Sequence, residues 1–431
     1  MIVASANWFR RLLLASIYTL GALGILGSSG SGSGDGWCFS LGYPSDQCPP
    51  APPLPPPPDP DGFDRPVTSL APTSDGSDDI YVGGWFAKYK KFDAYHITRF
   101  NSNGSFDTSF VTGTGFNTDP ETIAPANDGS GDVYFGGRGF WNYNGTDISN
   151  IVRLNLDGTL DSTFDAGTGF FNGTGSNNDV YIIVPANDGS GDVYVGGNFT
   201  RYNGTDVGSG LIRLNKDGSI DVAFDTGLAG FDGSVQAIAV ATDGSGDVYA
   251  GGFFTNYKGS TANYITRLNS DGSLDSTFDT GSGFDRSVSA IAVETDGSGD
   301  VYVGGGFSDY KGMGTTGIVR LNSDGSIDMG FVAGAEFEGV IEIITVAIDG
   351  SGDIYTDTKD KGQIVRLNND GSIDVGFDTG SGFSTFFLGV TSIALATDGS
   401  GDIYVGGDMS HYKSSSVDYL VRLTSGGTLV R

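Results

Sequence analysis

The sequence predicts an all-β fold: a seven-bladed β-propeller of four-stranded blades, preceded by an N-terminal apolar segment and a proline-rich linker. Three observations carry this. An Asp leading into Ile or Val and then Tyr recurs at Asp79, Asp132, Asp192, Asp247, Asp300, Asp353 and Asp402, at intervals of 49 to 60 residues. Each interval holds short alternating apolar runs with turn punctuation and no helix-period stretch. Four such runs in ~50 residues, repeated, are the pattern of propeller blades. The 71 glycines, among aromatics at 12% of the chain, recur at fixed offsets from those aromatics, which assigns them to turns and close packing rather than disorder.

Taken in order, residues 1–26 hold Arg10 and Arg11 before the apolar run Leu12 to Leu26. That is the layout of a signal peptide, or of a hydrophobic segment if retained, since the run is short for a membrane span of ~20 residues. Residues 27–60 are a Gly/Ser- and Pro-rich linker, in which polyproline II forms a stiff spacer. Cys38 and Cys48 are the chain's two cysteines; in an exported protein they would form one local disulfide. Residues 61–431 are the seven repeats.

The fourth repeat shows how one blade is read. Val235 to Ala241 is the first strand, DGSG the turn, Asp247 to Gly252 the second strand, Tyr264 to Asn269 the third and Ser273 to Phe278 the fourth. A three-residue loop, Ser270 to Gly272, puts glycine in the left-handed position and pairs Leu268 with Leu274 and Arg267 with Asp275. Six of the seven copies keep this Arg–Asp pair, whereas Arg422 meets Val430. The repetition reads as electrostatic stitching within blades, so exchanging the two charges should restore most of the stability that either single change removes.

Gly251 and Gly252 end the second strand, as glycine pairs do in five other copies. Glycine weakens a strand, so the expectation is close approach by a neighbour's aromatic side chain or a sharp bend. A closed ring also accounts for the ends: the last repeat lacks the usual DxxF and GxGF, and Gly62–Phe63 can complete it next to Thr428 to Arg431.

The GDVYVGGxFxxYxG and RLNxDGSxDxxF motifs resemble the delta-60 family of Gly/Asp-rich repeats in secreted bacterial propeller-like proteins, over about Asp61 to the C-terminus. The resemblance implies the fold and export, and neither an activity nor a ligand. The sixth repeat departs most, with TDTKDKG, Thr356 to Gly362, in place of the glycine pair and the aromatic.

A formal net charge of -29, with 52 acidic against 23 basic residues, excludes a nucleic-acid backbone as partner and suits cations or basic surfaces. The DGSGD turn offers Asp243, Ser245 and Asp247 as hard oxygen ligands for calcium, with equivalents at Asp188 and Asp192, Asp296 and Asp300, Asp398 and Asp402. Turn chemistry alone selects the same residues. His96 and His411 are the only histidines, and no serine elbow, zinc cluster or phosphate loop is present, so no catalytic residue is assigned. The expected function is a non-catalytic secreted or cell-surface binding or structural module for adhesion or extracellular assembly. The alternative is a secreted carbohydrate-active hydrolase or lyase. Expected partners are an extracellular glycan, matrix or surface protein, or further copies in an oligomer or filament. A membrane enters only if the N-terminal segment is retained.

Overall fold

The apolar–polar alternation of the first strand and the nearly continuous apolar run of the second dictate which strand is central. In a computed structural model describing residues 62–173, 179–334, 337, 339–358 and 362–430, blade four pairs Val235–Val240 and Ile265–Leu268 on either side of Val248–Gly252. The central strand is buried along its whole length. The same antiparallel arrangement recurs in all seven blades within Pro58–Arg431. The readings for residues 1–61, including the Leu12–Leu26 segment, the Cys38–Cys48 disulfide and the proline spacer, lie outside the described residues.

The fourth strand is shorter than the sequence predicts. In blade four it is a single bridge between Leu268 and Leu274, and each other blade has its counterpart, down to Leu423 and Leu429. The cause lies in the Asp that follows. Asp275 Oδ1 accepts the backbone N–H of Thr277 at 2.8 Å, and this local turn competes with the ladder and curls the chain away. The loop before it places Gly272 at φ 79°, with Asn269 N–H donating to Ser273 O at 2.8 Å.

The glycine pair serves two different contacts. A Cβ on Gly251 would strike Val288 and Ile291 of the next blade's first strand, and one on Gly252 would strike the carbonyl of Ser234. The second contact sits where the register of the first strand slips between Val235 and Ala237. The approaching side chains are therefore aliphatic, not aromatic, because the neighbour presents its strand and not its loop. Phe254 is buried instead against Phe231 of its own blade, with ring centroids 4.4 Å apart.

The ring closes by repeating this geometry across the ends. Gly406 of blade seven meets Val67 and Leu70 of blade one as Gly251 meets Val288 and Ile291. Leu70 N–H donates to Ser392 Oγ at 3.1 Å, and Thr391 Oγ1 donates to Val67 O at 2.8 Å. Gly62 lies against Asp418, just as Gly283 lies against Asn263. Phe63 bridges Tyr89 of blade one, so the Gly–Phe pair joins the blade that follows it.

Candidate functional site

The turns between first and second strands and those between third and fourth share one rim, and there each blade holds an arginine among carboxylates. Arg267 Nη2 lies 2.5 Å from Asp275 Oδ2, and its Nε lies 3.8 Å from Asp247 Oδ2. Its guanidinium stands 5.6 Å from the Tyr249 ring centroid and 5.2 Å from that of Phe278. Nη1 donates to Tyr249 Oη at 3.1 Å and to Ser323 O of the next blade at 2.8 Å. Tyr249 Oη in turn donates to Gly299 O of that blade at 3.1 Å. The arginine thus joins blades as well as strands. Sequence reasoning missed this second role, although the tyrosine recurs in every copy and its partner stands 50 residues on, one repeat away.

Other blades lean the arginine toward the DGSGD turn. Arg213 Nη2 contacts Asp188 at 2.5 Å and Asp192 at 2.9 Å, while its Nε lies 3.1 Å from Asp221. Burial would raise the Asp188 carboxyl, yet hydrogen bonds from Ser190 and Arg213 hold it down at about 2. Arg422 makes the corresponding contacts with Asp398 at 2.5 Å and Asp402 at 2.8 Å.

These geometries describe what the calcium candidates do in the fold. Asp243 Oδ1 accepts Ser245 N–H at 2.9 Å, Ser245 Oγ accepts Asp247 N–H at 3.1 Å, and Asp247 faces Arg267. Asp296 and Asp300 repeat the turn through Ser298. Among the described residues no group of three or more His, Cys, Asp or Glu side chains could hold a metal ion. The histidines are not brought together into a site: His96 Nδ1 lies 2.9 Å from Gly84 O, and His411 Nδ1 lies 3.0 Å from Ser410 Oγ.

The opposite rim carries the second-to-third connections and the approaches to the first strands. The connections form two-residue hairpins such as Asn256–Tyr257 with Ser260–Thr261. On this rim Trp141 is 60% exposed and Phe387 50%, and Phe171, Met313 and Phe386 are exposed as well. Buried ions brace the same side: Asp179, fully buried, lies 3.1 Å from Arg138 Nε and accepts Tyr181 Oη–H at 3.1 Å.

A ring of seven sheet blades with one charge-locked rim and one rim of variable connections defines the class: a β-propeller. The chain belongs to the family described as "Domain of unknown function (DUF5122) beta-propeller", which matches residues 74–110, 129–164, 189–224, 244–278, 297–331, 348–377 and 399–429, more than half of its length. Among solved structures, the WD40 beta propeller domain of Doa1 is similar at 16% identity and a TM-score of 0.52, over 84% of this chain and 93% of that one. The beta-propeller domain of Myceliophteria thermophila Cps50 (Swd1) is 9% identical with a TM-score of 0.47, over 80% and 93%. A chain of the mitotic checkpoint complex is 12% identical with a TM-score of 0.45, over 68% and 72%. No curated protein matches the chain.

These findings correct the delta-60 expectation: the matching family is the DUF5122 beta-propeller, and the WD40 beta propeller domain of Doa1 shares the fold, so the repeat motif does not mark a secreted bacterial protein. The secreted, extracellular and cell-surface readings fall with it. So do adhesion, extracellular assembly, glycan and matrix partners and the secreted carbohydrate-active alternative. The physical reason is that the motif encodes turns and interblade packing, which a propeller needs in any compartment. The export reading rests otherwise on Leu12 to Leu26, outside the described residues. At these identities the likenesses carry the fold, and no compartment replaces the one withdrawn.

Proposed function

We propose that this chain is a non-catalytic protein-interaction scaffold. The observation that carries the reading is the rim opposite the acidic turns, where Trp141, Phe171, Met313, Phe386 and Phe387 stand exposed on blades two, three, five and seven. Aromatic and Met side chains are enriched at interface cores, and a few such anchors supply most of the affinity. They sit on short connections of a ring whose blades are joined by buried arginines and tyrosines, so little ordering is required on binding. On the acidic rim, carboxylates such as Asp188, Asp192 and Asp275 are engaged by the arginines that lock the blades. The WD40 beta propeller domain of Doa1 offers the same architecture.

The test is cross-linking of the full-length chain to proteins retained from its source, read by mass spectrometry, for the native protein and for a Trp141→Ala, Phe387→Ala variant. Cross-links concentrated on the connection rim, with retention lost in the variant, are expected. Retention unaffected by the variant, or no retained protein together with turnover of a substrate by the purified chain, would overturn the proposal.

A further inference from the structure

Blade seven carries a three-residue insertion ahead of the regular part of its first strand. Three residues separate Phe284 from Val288 in blade five, whereas six separate Phe383 from Val390. Phe383 still pairs with Tyr412 as Phe284 bridges Tyr310, and Val390 still pairs with Gly407 as Val288 does with Gly305. The extra residues are therefore expelled from the ladder, and Phe386 to Gly389 bulge opposite Asp408 alone. The bulge is anchored from inside: the buried Asp408 accepts the Phe387 N–H at 3.0 Å, and Leu388 is buried beside it. Gly389 takes φ 73° at its end, a conformation that glycine adopts without steric cost. Phe386 and Phe387 are left exposed on a short, tethered prong.

A cleft of about 450 Å³ opens on the outer flank of blade three. Its cause is the local turn that shortens the fourth strand: Asp221 Oδ1 accepts the Ala223 N–H at 2.9 Å and leads the chain away from the third strand. Val207, Ile220 and Phe224 line the cleft, and Val222 and Leu228 form its lips, 87% and 79% exposed. Blade two has the corresponding cleft, of about 350 Å³, but with Ser162 where blade three has Val222. Two large aliphatic side chains exposed beside one apolar cleft mark an interaction surface.

We infer that Phe386 and Phe387 of one copy dock in the blade-three cleft of a second copy of this chain. Blades seven and three stand apart in the ring, with two blades between them on one side and three on the other, so a copy cannot fill its own cleft. One chain thus supplies both an anchored aromatic prong and an apolar cleft of pocket size. The charges match as well: Lys413 and His411 stand exposed at the base of the prong, and Asp206 and Asp225 stand exposed at the cleft, which orients the approach. Because Asp408 holds the prong before it binds, little ordering is needed on contact. The two surfaces differ, so the contact is heterologous. The inference rests on the scaffold reading and names one partner for it.

The experiment is sedimentation velocity of the full-length chain over a concentration series, with two variants. One loses the prong, Phe386→Ser with Phe387→Ser; the other loses the cleft, Val222→Asp with Leu228→Asp. All four positions are exposed, so both variants keep the fold. Concentration-dependent association of the native chain is expected, weakened roughly tenfold or more in each variant alone, since the apolar burial of two side chains is lost. An equimolar mixture of the two variants should associate as tightly as the native chain yet stop at a heterodimer, because one intact prong and one intact cleft remain. A native chain that sediments as a monomer throughout, association unchanged in either variant, or a mixture no tighter than its components would each overturn the inference. If the native chain is a monomer but retains partners that Trp141→Ala loses, the prong-and-cleft contact fails and the scaffold reading stands.

Discussion

Arg422 in the last blade donates from Nη1 to the carbonyl oxygen of Ser102 in the first, 3.5 Å away across 320 residues of chain. Arg267 makes the same reach to Ser323 over 56 residues. The contact that joins neighbouring blades elsewhere therefore closes the ring here.

Arg422→Ala should loosen the seam before any other part of the molecule. It leaves the carboxylates of Asp398 and Asp402 without their cation, at a site where the arginine side chain is 19% exposed. A loss of about 1–3 kcal/mol is expected from chemical denaturation. Hydrogen exchange should rise first at the Leu70 amide, which donates to Ser392 across the same seam.

Exchanging the charges of Arg267 and Asp275 should not restore stability, contrary to the expectation from pairing alone. An Asp at 267 cannot donate to Tyr249 or Ser323, and it would face Asp247. The double variant is expected to melt no higher than Arg267→Ala; recovery to near the native midpoint would mean the interblade bonds contribute little.

Asp357 makes stability fall as pH rises. It replaces the first glycine of the pair in blade six, is 2% exposed, and accepts the N–H groups of Glu342 and Ile343 at 3.1 Å each. Burial pushes its carboxyl up to about 7, against the pull of the backbone bond from Ile343. The unfolded chain releases this proton near 3.8 and the folded chain only near 7. The contribution is thus complete below about pH 4 and lost as pH climbs through 7. Asp357→Asn should flatten the thermal midpoint between pH 5 and 8, where the native midpoint declines.

Glu294 is a buried acid where five other blades carry alanine, such as Ala241 and Ala347. Its Oε2 has no hydrogen-bond partner among the described residues. Glu294→Ala removes an unsatisfied buried oxygen and should leave stability unchanged or raise it by about 1 kcal/mol; a fall above that in urea titration would point to an unseen partner.

Calcium at millimolar concentration should leave the melting temperature unchanged. Asp243 is engaged by Ser245, and Asp247 faces a fixed guanidinium, which would have to be displaced by the ion. Calorimetric heat with a raised midpoint would show that the turns open to bind it.

The sequence by itself determined the repeat, the strand order within a blade and the partners across the hairpin turn. These are local: a period-two pattern sets which face is buried, and a glycine at the third loop position sets the register of Leu268 and Leu274. The tertiary structure decided what each repeated residue meets one blade away. That Gly251 receives Val288 and that Tyr249 reaches Gly299 both depend on how successive sheets stack. No spacing within one repeat reports this, because the contact partners lie about 50 residues apart and become neighbours only when the ring forms. The exposed positions of Trp141 and Phe387 were illegible for the same reason: an aromatic in a Gly-rich repeat reads as core until the strand ends show which rim it occupies.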